Sequence, residues 1–165
     1  MEYEAVSNTG PLIHLAQIKR FDLLKVFNRI FIPAAVYDEV CIEGRSGERE
    51  LRASGIKICN VSNEDVETIE KGMDKSLDKG EIHALALTRK LGKNLFLTDD
   101  LDAREAGITM GLEVHGSVGI IAIAYRNKLI DLSEAKSALL DLYSISNLFV
   151  ARAIIESVIE EIEKY

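Results

Sequence analysis

The sequence feature that most constrains the fold is a short apolar run that ends in a cluster of aspartates. Residues 95–97 form the apolar run, and Thr98, Asp99 and Asp100 follow it directly. A short apolar run bounded by polar residues is typical of a buried strand in a parallel sheet. Open parallel sheets bind ligands at the carboxyl ends of their strands, so both carboxylates are predicted to face a crevice. The pair is either a helix cap with a solvated neighbour or a site for a hard cation.

Strand-like apolar runs alternate with helical stripes through most of the chain. The predicted strands are 3–7, 29–32, 56–61, 95–97 and 112–115. The predicted helices are 12–18, 21–27, 34–42, 48–53, 63–71, 80–91, 118–125, 133–142 and 146–163, with one more after the aspartates and a polar loop at 74–79. This alternation predicts an α/β fold, a three-layer α/β/α sandwich with a central, mainly parallel sheet.

The length of 165 residues predicts a single domain that spans 1–165. The last predicted helix carries a broad apolar stripe, so we expect the C-terminal helices, about 133–163, to pack on this domain or on a partner. The residues of the stripe are Val150, Ile154, Ile155, Val158, Ile159 and Ile162.

The formal net charge of −7 argues against a protein that coats nucleic acid through bulk positive charge, but it does not exclude a nuclease. Cys41 and Cys59 form neither a metal-type spacing nor a disulfide framework, which suits reduced thiols. The acidic start of the sequence differs from a signal peptide, and the apolar run 118–125 is too short to span a bilayer. We therefore expect a cytoplasmic protein with no membrane partner.

Other polar residues are predicted to meet the aspartates at one edge of the sheet. Asn8 follows the first strand, and Glu39 and Glu81 lie on helices that overhang the same edge. Each has a simpler interpretation: Asn8 as a turn residue, Glu39 as a solvated side chain, and Glu81 as an anion that favours a helix N-terminus. His115, at the end of the last strand, is either a ligand or a hydrogen-bonded packing residue.

Several familiar catalytic motifs are absent from the sequence. It has no G-x-G-x-x-G, no P-loop, no H-E-x-x-H and no pattern that indicates a nucleophilic serine or cysteine. The remaining candidate groups are side chains that can provide oxygen ligands. They are Asn8, Glu39, Glu81, Asp99, Asp100 and Asp102. Such ligands suit Mg²⁺ or Mn²⁺ rather than zinc. Phosphodiester hydrolysis uses this arrangement, because the cations orient a water and offset charge on the leaving oxygen.

Four sequence motifs in register resemble the PIN-domain superfamily. They are VSNTGPLI at 6–13, IPAAVYDEV at 32–40, GEIHALA at 80–86 and LTDDLDAR at 97–104. The chain is most similar to the DUF3368 group of predicted nucleic-acid-binding proteins, which are related to VapC-type toxins. The resemblance covers nearly the whole chain, and it implies a parallel sheet flanked by helices and a metal-dependent ribonuclease site.

The resemblance also implies a role for each acidic position. The first family acid falls on Asn8, the second on Glu39, the third on Glu81 and the fourth on Asp99 or Asp100. Asn8 departs from the family pattern, because many members have Asp at this position. An amide oxygen can still ligate a cation or orient a water, but it removes one negative charge. We therefore expect weaker metal binding, and this copy of the fold is either a poor nuclease or an active one that tolerates the substitution.

The leading hypothesis is a Mg²⁺- or Mn²⁺-dependent endoribonuclease that acts on single-stranded RNA. The predicted catalytic and metal-binding residues are Glu39, Glu81, Asp99 and Asp100, with Asn8 as a further ligand or a group beside one. Thr9, Thr98 and Asp102 are predicted to support these residues, and Arg104 is predicted to pair with the aspartates in preference to a phosphate. A local basic rim is predicted from Arg45, Arg49 and Arg52.

There are three further hypotheses, of which the first two stay open and the third is disfavoured. A toxin would have an antitoxin as partner, and the resemblance implies a homodimer. A catalytically weak or inactive PIN module would bind nucleic acid or protein without cutting, and Asn8 favours it. A phosphoacceptor receiver-like domain is disfavoured, because no lysine stands at the expected late strand end and Glu39 and Glu81 would have no role.

Overall fold

The protein is built on a parallel sheet of five strands. The computed structural model describes residues 3–73 and 76–165. The strands are β1 (Glu4–Ser7), β2 (Arg29–Pro33), β3 (Lys57–Cys59), β4 (Leu95–Leu97) and β5 (Glu113–His115). Their order across the sheet is β3-β2-β1-β4-β5, and every neighbouring pair is parallel. The predicted parallel sheet is therefore confirmed.

Helices fill the connections between the strands. They are α1 (Thr9–Gln17), α2 (Ala34–Val40), α3 (Glu48–Ala53), α4 (Asn63–Lys71), α5 (Lys79–Leu91), α6 (Leu101–Thr109), α7 (Ser117–Arg126), α8 (Leu132–Ser144) and α9 (Arg152–Glu163), with a 3₁₀ helix at Phe21–Val26. Residues 74 and 75 of the predicted 74–79 loop lie outside the described residues. The loop prediction is wrong at its end, because Lys79 already belongs to α5 after the capping residue Asp78.

The helices cover the sheet as two outer layers. In one layer α5 packs on β1, β2 and β4, and α2 and α4 pack against α5. Elsewhere α7 packs with α1, the 3₁₀ helix, α8 and α9. The three-layer α/β/α sandwich of a PIN-like fold is thus confirmed.

The two central strands end next to each other, which determines where the polar residues that follow them lie. All of β4 is buried, and so are the last three residues of β1, which makes these two strands the middle of the core. Ser7 pairs with Leu97 at the carboxyl ends of the two strands. The next residues, Asn8 and Thr98, therefore emerge side by side at one edge of the sheet.

The end of the chain differs from the sequence-based expectation, because α9 begins at Arg152 and not at 146. The amide of Asn147 donates to the side-chain carbonyl of Gln17 (2.9 Å), and the Ser146 hydroxyl bonds Leu142 O. These contacts hold the chain away from a helical path. Within α9, Ile155 and Ile162 are fully buried. The helix contacts α7 and α8.

None of the helices in the described ranges, 3–73 and 76–165, has the length and apolar character needed to cross a bilayer.

Candidate active site

Asn8 and Thr98 form the centre of the polar edge. The Asn8 amide continues the β-ladder by donating to Leu97 O (2.8 Å), and its side-chain Nδ2 donates to Thr98 Oγ1 (3.2 Å). Thr98 is fully buried and Asn8 is 5% exposed. No buried side-chain polar atom in the described part of the chain lacks a partner, so the unbonded Oδ1 of Asn8 reaches solvent. Thr98 therefore fixes the amide and leaves its carbonyl oxygen available.

Glu39 reaches the same edge from α2. Its Oε2 accepts a hydrogen bond from Thr9 Oγ1 (2.8 Å), the residue directly after Asn8. Its carboxylate also lies against the backbone of Gly80 in the first turn of α5. A Cβ on Gly80 would overlap Oε1 of Glu39 and would lie 3.0 Å from its Cδ. Glycine leaves room for the Glu39 carboxylate at this position, so the sequence of α5 lets Glu39 approach the first turn of the helix.

Glu81 is part of a capping box at the start of α5. Its Oε2 accepts from the Asp78 amide (2.9 Å), and Asp78 Oδ1 accepts from the Glu81 amide (2.8 Å). Burial raises the pKa of Glu81 to about 7, and the negative charges of Asp78 and Asp100 add to the increase against the lowering effect of the Asp78 amide. Glu81 and Asp100 are thus close enough to repel each other. A cation that binds here would relieve this repulsion.

Asp99 is held by hydrogen bonds from two helices. Its Oδ1 accepts from the Ser117 amide (2.6 Å), and its Oδ2 accepts from Ser117 Oγ (2.6 Å). His14 Nδ1 lies 2.7 Å from the same Oδ2, and because a carboxylate only accepts, the imidazole donates. The Asp99 side chain is 7% exposed. The carboxylate therefore joins α1 and α7 to the end of β4 and is engaged at both oxygens.

Asp100 has a different environment from its neighbour. It is the N-cap of α6, where its Oδ2 accepts from the Ala103 amide (2.8 Å), and its own amide donates to Thr98 Oγ1 (3.2 Å). It is half-buried, and the structure gives its second oxygen no protein donor. The sequence left the fourth acidic role to either aspartate. The structure favours Asp100, because it retains a free oxygen and its charge raises the pKa of Glu81.

The basic side chains differ from their predicted roles. Arg104 forms no ion pair with either aspartate, so the predicted salt bridge is wrong. Arg52 is engaged with Glu48 (2.8 Å) and with the Tyr37 hydroxyl (3.1 Å), while Arg45 and Arg49 are exposed. Of the three arginines of the predicted basic rim, Arg52 is therefore engaged in local contacts. Outside the rim, His115 bonds Glu113 (2.8 Å), as a packing residue would.

Sequence reasoning missed three residues that shape the site. Asp78 carried a usable signal, because D-x-x-E before an apolar helix is typical of a capping box. His14 and Ser117 carried none, since they contact Asp99 from 85 and 18 residues away. Asp102 lies in the first turn of α6.

The donors at the edge fit a hard cation in their chemistry. They are oxygen atoms from Asn8, Glu39, Glu81 and Asp100, the type that Mg²⁺ and Mn²⁺ prefer. As the side chains stand, no three His, Cys, Asp or Glu residues of 3–73 and 76–165 are grouped closely enough to hold a metal ion. The Asp78 amide engages Oε2 of Glu81, so the cap occupies one of the two carboxylate oxygens of this residue.

A parallel sheet with carboxylates at its carboxyl edge is the architecture expected of a PIN domain. The family model DUF3368, described as a PIN domain, matches residues 4–164, and the chain belongs to this family. PIN domains are typically nucleases and generally use divalent metals. A search of curated proteins finds no match to the chain.

Proposed function

We propose that the protein is a Mg²⁺- or Mn²⁺-dependent endoribonuclease that hydrolyses single-stranded RNA. The observation that carries the proposal is the set of oxygen donors at one edge of the sheet. The charge of Asp100 raises the pKa of Glu81 there, and Glu39 lies against Gly80, the residue before Glu81. Such a cluster costs stability unless a cation or a proton offsets its charge.

Neighbouring threonine hydroxyl groups hold Asn8, Glu39 and Asp100, and the Asp78 amide holds Glu81. Thr98 Oγ1 accepts from Asn8 Nδ2 and from the Asp100 amide, and Thr9 Oγ1 donates to Glu39. When bound, Mg²⁺ or Mn²⁺ supplies positive charge for the phosphate oxygens and lowers the pKa of water. Hydrolysis then forms a bond from the water oxygen to phosphorus and breaks a P–O bond to one sugar. The two threonines hold the ligands in place during that exchange.

Asn8 favours a second candidate function, a weak or inactive PIN module that binds nucleic acid or protein. An amide contributes no charge to a cation site, so the carboxylates alone supply its negative charge. Asp99 offers a cation no free oxygen, because Ser117 and His14 engage both of its oxygens. The loss of one charge weakens metal binding in this proposal and slows or abolishes cutting.

A toxin role is the finer form of the proposal, with an antitoxin as protein partner and a homodimer as assembly. Exposed apolar side chains near the start of α9 support a protein partner: Phe149 is fully exposed, Ile145 61% and Ile154 53%. Growth arrest on overexpression, relieved by a co-expressed neighbouring gene product that co-purifies, is the expected result. Overexpression without arrest and without a co-purifying protein would contradict it.

The experiment that tests the nuclease is cleavage of a mixed-sequence single-stranded RNA with Mn²⁺, Mg²⁺ or EDTA. The variants are Glu81→Gln and Asp100→Asn, with Glu67→Gln as matched control because Glu67 is exposed on α4. We expect metal-dependent cutting that the site variants lose and the control retains. No cutting by the wild-type chain, followed by cutting in an Asn8→Asp variant, would identify the missing charge as the reason. Absence of cutting in both would leave the binding module as the function.

A further inference from the structure

Arg104 places a guanidinium group beside the acidic edge. It lies on α6, four residues after Asp100, and its amide donates to Asp100 O (2.9 Å). Helix side chains lean toward the amino end of their helix, so the Arg104 side chain extends back toward the carboxyl edge of the sheet. A Cβ on Gly116, the residue after β5, would lie 3.3 Å from Arg104 Nη2. The guanidinium therefore covers Gly116 at the end of the edge strand.

The guanidinium has no acidic partner among the described residues, although two aspartates precede it on the same side of the sheet. Asp99 accepts from Ser117 and His14, and Asp100 accepts from the Ala103 amide. Across residues 3–73 and 76–165, Arg104 forms no ion pair and no side-chain hydrogen bond. No buried polar side-chain atom of these residues is unpartnered, so the Arg104 nitrogens reach solvent. The five N–H donors of the Arg104 guanidinium are thus free next to the candidate active site.

We propose that Arg104 binds a non-bridging phosphate oxygen of the RNA strand and holds the backbone against Glu81 and Asp100. The substrate class in this inference rests on the proposed function. A chain of net charge −7 with carboxylates at its site repels a polyanion, so a fixed cation is needed where the strand enters. The planar guanidinium suits this role because it donates two parallel hydrogen bonds to one phosphate.

The test is RNA binding, measured separately from cutting. Binding of a fluorescein-labelled single-stranded RNA is followed by anisotropy over a series of KCl concentrations, with Ca²⁺ in place of Mn²⁺ and a gel to show that the strand stays intact. The variants are Arg104→Gln and Arg104→Lys. Arg29→Gln is the matched control, since Arg29 is 57% exposed at the start of β2, at the opposite edge of the sheet.

We expect Arg104→Gln to weaken RNA binding about tenfold and to reduce the slope of log K against log salt by about 0.7, the value of one phosphate contact to a single strand. Arg104→Lys keeps the slope and loses part of the affinity, because a point charge replaces the fork. Mn²⁺ affinity and the melting temperature stay at wild-type values, which a purely structural role would not allow. Arg29→Gln leaves RNA binding unchanged.

Two outcomes overturn the inference. One is an Arg104→Gln affinity within about twofold of wild type with the slope unchanged, and the other is a wild-type chain that binds no RNA. Arg104-dependent binding by a chain that does not cut supports the inference and refutes the nuclease. Cutting by a chain whose RNA affinity is insensitive to Arg104 does the reverse.

Discussion

Asp99 and Asp100 are adjacent carboxylates whose replacement by asparagine is predicted to have different effects. The first change lowers the stability of the fold, and the second lowers its affinity for Mn²⁺. In Asp99→Asn an NH₂ group takes the place of one oxygen and meets a donor, either the Ser117 amide or the Ser117 and His14 pair. Hydrogen bonds to a charged group contribute about 1.5–3 kcal/mol each, and the side chain is only 7% exposed. We expect the free energy of unfolding to fall by about 2–4 kcal/mol.

Asp100→Asn keeps the helix cap, because asparagine caps as well as aspartate does. The amide oxygen still accepts from Ala103, so the free energy of unfolding changes by less than about 0.5 kcal/mol. The substitution removes one charge from the candidate metal site next to Glu81. We therefore expect Mn²⁺ affinity to fall about tenfold or more.

Urea unfolding in EDTA, followed by circular dichroism, measures the stability of both variants, and calorimetric titration measures Mn²⁺ binding. At this chain length a loss of about 3 kcal/mol lowers the melting temperature by about 6–12 °C. The Asp99 variant is titrated at low temperature, where it is still folded. The assignment is refuted if Asp99→Asn is as stable as wild type and loses Mn²⁺, while Asp100→Asn keeps it.

Three further predictions concern the same edge. The folded-state pKa of Glu81 is raised to about 7, so its contribution to stability is present below about pH 4.5 and is lost as pH rises through 7. Metal-free wild type should lose about 1 kcal/mol more than Glu81→Gln between pH 5 and pH 8, a value reduced for solvent screening; identical urea-unfolding profiles would count against this. Asn8→Asp should raise Mn²⁺ affinity about tenfold by adding a charge, and an unchanged titration would show that Asn8 lies outside the site. Gly80→Ala should push Glu39 away from α5 and reduce Mn²⁺ affinity while stability stays equal or rises by up to about 1 kcal/mol. Unchanged Mn²⁺ affinity in that variant would mean that Glu39 is not a ligand.

The sequence by itself determined the sheet and the edge that carries the site. Apolar runs that stop at Asn8 and Thr98 are local patterns, and parallel strands bring their carboxyl ends to one edge whatever their order. The positions of Glu39 and Glu81 on helices next to that edge also follow from local periodicity, because each helix begins directly after a strand or a capping residue.

Only the tertiary structure decided which side chain pairs with which. Asp99 and Asp100 look equivalent in the sequence, but donors from α1 and α7 engage Asp99 and leave Asp100 with a free oxygen. The start of α9 has the same kind of cause, since Gln17 takes the Asn147 amide across 130 residues. Local patterns specify periodicity and turn chemistry. The choice of hydrogen-bond partner depends on donors that the chain brings close only after it has folded.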